Sequence, residues 1–306
     1  MSTTGEVVRQ RPRLDALAVS VMVLLCTLWG VQQVGTKVAI QGGLPPLLQA
    51  TIRSAVATGL LLLWVLARDG RRGIETLLAR DGSMRPGLLI AALFGGEFVL
   101  LFSGVQHTTA SRAVLLLYTA PFFTALGAHL LLPGEKLRPV PALGLLLAFA
   151  GVAVTMADAG PVGGSLWGDA LMVGAAATWG ITTVAVKASP ALGRVPTAKL
   201  LLWQIGGSVP ILLAAALATG QVIVPHATPL AWASLAYQSV IVAFASYLAW
   251  FWLVTRYPAG RLSAFTFLTP LIGVAAAAAL LGERATMGLV VGLGCVVAGL
   301  WLVNRR

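Results

Sequence analysis

The chain alternates between long apolar runs and short polar breaks. Ten runs stand out: Leu14–Ile40, Leu47–Ala67, Gly87–Val105, Ala110–Leu132, Pro141–Ala157, Trp167–Val186, Ala198–Ala218, Ala231–Val254, Ala259–Leu281 and Met287–Val303. About twenty helical residues, at ~1.5 Å each, cross a hydrocarbon layer ~30 Å thick. The pattern therefore predicts ten transmembrane helices in an all-α integral membrane protein. Most junctions carry turn chemistry: Gly42-Gly43-Leu44-Pro45-Pro46, Pro133-Gly134, Gly160-Pro161, Pro190 to Pro196, and Pro225. The only sizeable polar connection runs from Arg68 to Arg85, which leaves no room for a soluble domain.

Composition agrees with this reading. Of 306 residues, 58% are hydrophobic and 10% charged, against roughly 25% charged in soluble domains. The formal net charge is +11, and the position of the charges decides its meaning. Cytoplasmic loops of membrane proteins carry the excess of Lys and Arg. With a cytoplasmic amino terminus, that side receives 17 of the 21 basic residues, Arg9, Arg68, Arg72, Lys136, Lys187, Lys199 and Arg306 among them. The outer side receives Lys37, Arg112 and Arg284, and Arg53 falls inside a span. The basicity is a topology signal, so no nucleic-acid partner is expected. Both termini are expected in the cytoplasm and the protein in the bacterial inner (plasma) membrane. No A-x-A-like cleavage site follows the first run, which argues against a signal peptide. Cys26 and Cys295 sit in apolar runs, and His107, His129 and His226 are scattered. No disulfide, metal or cofactor is expected.

The chain repeats itself. Trp29-Gly30 and Lys37 recur as Trp179-Gly180 and Lys187 at an offset of 150. Ala110, Arg112 and Pro121 recur as Ala259, Arg261 and Pro270 at 149. Gly134-Glu135, Gly144 and Gly151 recur as Gly282-Glu283, Gly292 and Gly299 at 148. This divides the chain into a tail 1–13, a repeat 14–157, a linker 158–166 and a repeat 167–306. Five helices per repeat is an odd number, so the second repeat enters the membrane from the opposite side. Inverted repeats are the usual construction of secondary transporters.

The paired marks, W-G-x6-K on the first helix, a mid-helix Pro on the fourth, Gly-Glu at its end and a Gly-rich fifth helix, resemble the EamA domain. Two copies in about 300 residues resemble the drug/metabolite transporter superfamily. The resemblance implies a central cavity walled by the first four helices of each repeat, with the fifth and tenth helices outside. It also implies export of small polar metabolites, often amino acids, without ATP. The absence of a G-x-x-x-x-G-K-[ST] phosphate loop agrees.

Several residues are candidates for that cavity. Trp29, Gln33 and Lys37 are spaced i, i+4, i+8 and share a helix face, as do Trp179, Thr183 and Lys187. They line the cavity, or the tryptophans pack between helices and the lysines snorkel to the interface. Arg53 and Glu97 are the formal charges well inside spans, ~10 Å and ~14 Å from the outer ends. A charge at that depth costs at least ~2.5–3.5 kcal/mol unless it faces protein or water. Either the two form a structural ion pair, or Glu97 meets a substrate ammonium or carries a proton while Arg53 faces a carboxylate. The repeat partner of Glu97 is Ser246, so the acid breaks the symmetry. Tyr118 and Phe267 precede the repeated Pro121 and Pro270 by three residues, and Tyr247 and Trp250 follow Ser246. These aromatics suit a cavity for an amphipathic solute and resemble the amino-acid exporting branch of the superfamily. Pro121 and Pro270 should kink their helices and are candidate hinges. Glu135 and Glu283 fall at helix ends on opposite sides, where each could lock a closed gate.

The expected function is secondary export of small, amino-acid-like metabolites by alternating access, with proton coupling at Glu97 and a monomeric state. A nucleotide-sugar or lipid-linked-sugar carrier of similar fold is the rival within transport, but it calls for more than one buried cation. An intramembrane transferase is the rival from another class. It calls for acid clusters or a nucleophile–histidine set that the spans do not supply.

Overall fold

A computed structural model describes residues 14–108, 110–157, 165–224, 226–281 and 287–305. The tail 1–13, most of the linker 158–166, Pro225 and Gly282-Glu283 lie outside the described residues. All regular elements within them are helical. Besides a single turn at Pro190–Gly193, the helices in chain order are α1 (Ala16–Gln41), α2 (Pro46–Leu78), α3 (Met84–Val105), α4 (Ala110–Leu117 and Ala120–Leu131) and α5 (Pro139–Ala157). The second set is α6 (Leu166–Ala188), α7 (Thr197–Ala218), α8 (Pro229–Val254), α9 (Ala259–Phe265 and Leu268–Leu281) and α10 (Met287–Asn304).

Local chemistry explains the starts. The Asp15 carboxylate accepts from the Ala18 amide at 2.9 Å at the head of α1. Ser165 does the same for Gly168 at 3.0 Å on α6, and Thr228 for Ala231 at 3.2 Å on α8. Each cap satisfies an N–H that the helix itself cannot. The polar connection expected from Arg68 to Arg85 is much shorter than its sequence suggests. Helix continues to Leu78 across an elbow at Gly70, whose φ of +63° a residue with a Cβ rarely adopts. The turns beyond the elbow return Leu77 to the core, which leaves 79–83 as the loop.

Both proline helices break just before the proline, α9 one residue earlier than α4 at the repeat offset. Proline has no N–H for the carbonyl four residues back, so the chain tightens before it. In α4, Thr119 N bonds to Leu116 O at 3.1 Å and Phe122 N to Thr119 O at 2.9 Å. In α9, Phe267 N bonds to Ala264 O at 3.2 Å and Thr269 N to Thr266 O at 2.9 Å. Two further irregularities belong to the second repeat. α7 and α8 contain wide π turns at Leu202–Gly206 and Gln238–Ser246, while α2 and α3 have none.

The connections gather at two ends of the bundle. At one, the Gly42 end, Thr228 N bonds to Gly42 O and Ser165 N to His107 O, both at 2.9 Å. At the other, the Glu135 end, the fully buried Lys199 at the head of α7 ties down the α2–α3 loop. Its ammonium donates to Ala79 O and Asp81 Oδ2 at 2.7 Å and to Thr76 O at 3.3 Å. Partial burial pushes the Asp81 carboxyl up, but bonds from Lys199 and Ser83 outweigh it and hold the pKa at about 2. The Asp81 carboxylate is therefore ionised throughout the physiological range. Lys37 lies toward the Gly42 end and its repeat partner Lys187 at the Glu135 end, as an inverted pair requires.

α5 packs on α10, away from the cavity, through a seam of small residues. A Cβ on Gly151 would stand 2.6 Å from Gly292 O, and one on Gly299 2.5 Å from Gly144 O. Backbones approach this closely only where side chains are absent. Gly299→Val is expected to destabilise the protein by about 3 kcal/mol, read as a lower melting temperature in detergent. Gly294→Val, whose Cβ would meet open space, should leave it nearly unchanged.

Candidate substrate cavity

A cavity of about 690 Å³ lies between the two repeats. Its rim at the Gly42 end includes the exposed Lys37, Ile40, Gln41, Val105 and Gln106. At the opposite end the walls close on Val186, Phe251 and Val254, each 1% exposed or less. The wall draws on α1 to α4 and α6 to α8, with Thr269 from α9 and, among the described residues, none from α5 or α10.

The cavity candidates of the sequence fall on this wall with two exceptions: Lys187, which neither lines it nor snorkels outward but is buried in an ion pair with Glu135 beneath it, and Phe267. From the first repeat come Trp29, Gln33, Arg53, Glu97 and Tyr118; from the second come Trp179, Thr183, Tyr247 and Trp250. Phe267 does not reach it. The ring is fully buried, edge-on to Phe122 at 6.2 Å and Phe149 at 6.3 Å. The break before Pro270 turns Phe267 away from the cavity, and Thr269 takes the lining place. Pro121 and Pro270 are both buried beside the breaks.

Ring-to-ring contacts stiffen the wall. Trp29 meets Tyr247 and Trp250 edge-on, with centroids 6.4 and 5.7 Å apart, and its indole N–H donates to Ser246 Oγ at 2.9 Å. Tyr118 meets Trp179 at 5.8 Å, and its hydroxyl accepts from Gln33 Nε2 at 3.2 Å. These pairs join the repeats across the cavity. Offset and T-shaped arrangements are the favoured geometries of aromatic pairs, each worth ~0.5–1.5 kcal/mol beyond area burial.

Other lining residues escaped the sequence reading. Phe94, Phe98 and Phe102 share a face of α3 with Glu97, at the i, i+3, i+4 spacing that such a row requires. That spacing was the available signal. Gln49, Gln204 and Gln238 line the cavity as neutral polar residues, and Gln238 links Thr36 to Gln49 through bonds of 3.2 and 3.3 Å. The π turns place Gln204 and Gln238 there, and no sequence pattern announces a π turn.

The charges are arranged unlike a structural ion pair. No nitrogen of Arg53 comes within 4.0 Å of a Glu97 carboxylate oxygen, and Glu97 makes no hydrogen bond to any residue. Arg53 acts on Glu97 electrostatically without bonding it, so a cationic group entering the cavity meets, among rings, a carboxylate whose oxygens hold no hydrogen bond. Among the described residues, no group of three His, Cys, Asp or Glu side chains could hold a metal ion.

Below the cavity, at the Glu135 end, the charges do pair. The Lys187 ammonium bonds the Glu135 carboxylate and the Tyr257 carbonyl, and these side chains are only 2% and 8% exposed for Lys187 and Glu135. The second Glu135 oxygen accepts from the Ala259 amide at 2.7 Å, at the head of α9. The Tyr257 hydroxyl donates to Asp15 at 2.9 Å. One knot therefore fastens α1, α6, the α4–α5 loop and the α8–α9 junction, and seals this end.

Among the described residues, ten apolar helices in two inverted sets around a cavity open at one end define a multi-pass membrane transporter. The chain belongs to the EamA-like transporter family, which matches it twice, over residues 16–157 and 166–305, and thus to the drug/metabolite transporter superfamily. It is 31% identical over 293 residues to the uncharacterized transporter YvbV of Bacillus subtilis, covering 93% of this chain and 90% of that one. It is 28% identical over 301 residues to a probable amino-acid metabolite efflux pump of Salmonella typhimurium, covering 91% and 92%. A solved crystal structure superposes with a TM-score of 0.79 at 20% identity, covering 94% of this chain and 96% of that one. That likeness bears on fold alone.

Proposed function

We propose that the protein is a secondary exporter of amino acids, large apolar and aromatic ones included, which works by alternating access. The observation that carries this reading is Glu97, a carboxylate that no protein group hydrogen-bonds, on a wall of aromatic rings. Such a group binds an ammonium, and the rings around it take an apolar side chain. Glu97 would hold either substrate or a proton, which is the simplest chemistry for proton-coupled exchange. The efflux-pump names of two relatives support the same substrate class.

The Gly42 end faces outward in this reading and the Glu135 end faces the cytoplasm of the cell, across the inner membrane, with both termini cytoplasmic. The bias of 17 basic residues in 21 supports it. Cysteines at Gln41 and Ile223, in a background without Cys26 and Cys295, should label from outside. Cysteines at Arg71 and Gly193 should label only from the cytoplasmic side. Labelling of both sets from one side would end the inverted-repeat argument.

The sugar-carrier alternative needs several buried cations for phosphate. Arg53 is deep in the cavity, but Lys37 stands exposed at the rim. The decisive experiment is counterflow in proteoliposomes with a panel of labelled amino acids and a nucleotide sugar. Acceleration by the amino acids is expected; acceleration by the nucleotide sugar alone would replace this reading with the other.

A further inference from the structure

Arg53 is the residue that an aromatic cavity with one acid leaves unexplained. It is 3% exposed, yet its Nε and Nη2 are buried without a hydrogen-bond partner. Leaving a buried donor unmet is costly, and more so for a charged group. A guanidinium does not escape that cost by losing its proton. The position of the group is nevertheless well defined, because its central carbon stands 4.6 Å from the centroid of the Phe98 ring. Contact with a ring face uses the face of the guanidinium and leaves its edges free. Nε and Nη2 share one edge, so their N–H bonds run side by side. Two parallel N–H donors match the two oxygens of a carboxylate.

We propose that Arg53 is the carboxylate fork of the substrate site and that Phe98 is the positioning residue that orients it. The substrate class is then the α-amino acid rather than the amine. Its carboxylate sits on Arg53, its ammonium on Glu97 and its side chain against the rings. Glu97 and Phe98 are neighbours on α3, so the ammonium binder and the support of the fork move as one piece. The proposal rests on the amino-acid reading above and adds to it which end of the substrate lies where. A phosphate monoester offers similar oxygens, but its second negative charge calls for a second cation, and among the described residues that line the cavity Arg53 is the cation at this depth.

The test uses the purified full-length protein in nanodiscs, with binding measured for phenylalanine, phenethylamine, 3-phenylpropionate and phenyl phosphate. Phenylalanine counterflow in proteoliposomes runs in parallel. The unaltered protein should prefer phenylalanine to phenethylamine by about tenfold or more. Arg53→Lys keeps the charge but loses the fork, and should bring that ratio close to one. Phe98→Leu should lower the ratio as well, and Phe98→Tyr, which keeps the ring, should retain it. A merely structural role for Phe98 would alter affinity for both ligands and leave the ratio standing. Arg53→Gln replaces Arg53→Lys if the latter does not fold.

A ratio that survives both Arg53 and Phe98 substitution overturns the proposal, even if counterflow shows that amino acids are carried. Binding of 3-phenylpropionate that Arg53→Lys abolishes, without any phenylalanine counterflow, upholds the fork and rejects the amino-acid reading. Phenyl phosphate bound more tightly than either carboxylate overturns the assignment to carboxylate. Failure to bind any of the four rejects both.

Discussion

Replacing Glu97 with glutamine is expected to lower the kcat/KM for amino-acid transport about 100-fold, while the protein folds normally. The substitution keeps shape and removes the charge that would face the substrate ammonium. Loss of one partner from a desolvated charge pair costs ~2–5 kcal/mol, and ~3 kcal/mol is about 100-fold. Normal folding is expected because Glu97 makes no bond to Arg53 or to any other residue. Transport rates in proteoliposomes, with melting temperature in detergent as the control, check both halves of the statement. Unchanged transport would remove Glu97 from substrate and proton alike. Misfolding that is rescued by neutralising Arg53 would return the two residues to a structural pair.

The second large effect belongs to the knot at the Glu135 end. Lys187→Met should strand the Glu135 carboxylate in a site where it is only 8% exposed. Removing one member of a buried pair typically costs ~3–5 kcal/mol. The protein relieves that cost by letting water reach Glu135, so opening of this end is the expected response. A cysteine at Val254, fully buried beneath the cavity, should then label from the Glu135 end at least about 100-fold faster. Lys187→Met combined with Glu135→Gln should reverse most of this. Glutamine keeps an oxygen for the Ala259 amide and leaves no charge to hydrate. A Val254 cysteine that stays protected in the single variant would show that the pair does not hold this end shut.

Much of this molecule is legible from the chain because the bilayer simplifies the reading. Length and hydropathy place the spans, and the repeated Trp-Gly, Pro and Gly-Glu marks imply the inverted pairing. The cavity tryptophans are readable for the same reason, since Trp29 and Trp179 recur in phase. Phe267 shows where the reading fails. Its repeat partner Tyr118 lines the cavity, but the turn before each proline rotates the neighbouring side chains, and a small rotation decides which of two adjacent residues faces inward. Gln204 and Gln238 are harder still, because a π turn shifts the helical phase and leaves no compositional trace. The Gly70 elbow hides in the same manner, since arginines on both sides of one glycine read as loop. Lys199 and Asp81 meet 118 residues apart in the chain, a distance over which no periodicity operates.

Both interior charges of the cavity come from one repeat. Arg53 belongs to α2 and Glu97 to α3, and at the repeat offsets their places in the other repeat hold Trp203 and Ser246. Trp203 points its N–H at Ser83, 3.1 Å away, and Ser246 is taken up by Trp29. If Arg53 and Glu97 hold the substrate as proposed, an exchange of shapes between the two repeats would not rebuild the binding charges on the opposite half. The cargo would stay with the first repeat as a passenger in a fixed seat, and the second repeat would supply walls that swing past it. Access would change sides while the chemistry of recognition stayed put, so such a carrier would present the same selectivity to both compartments.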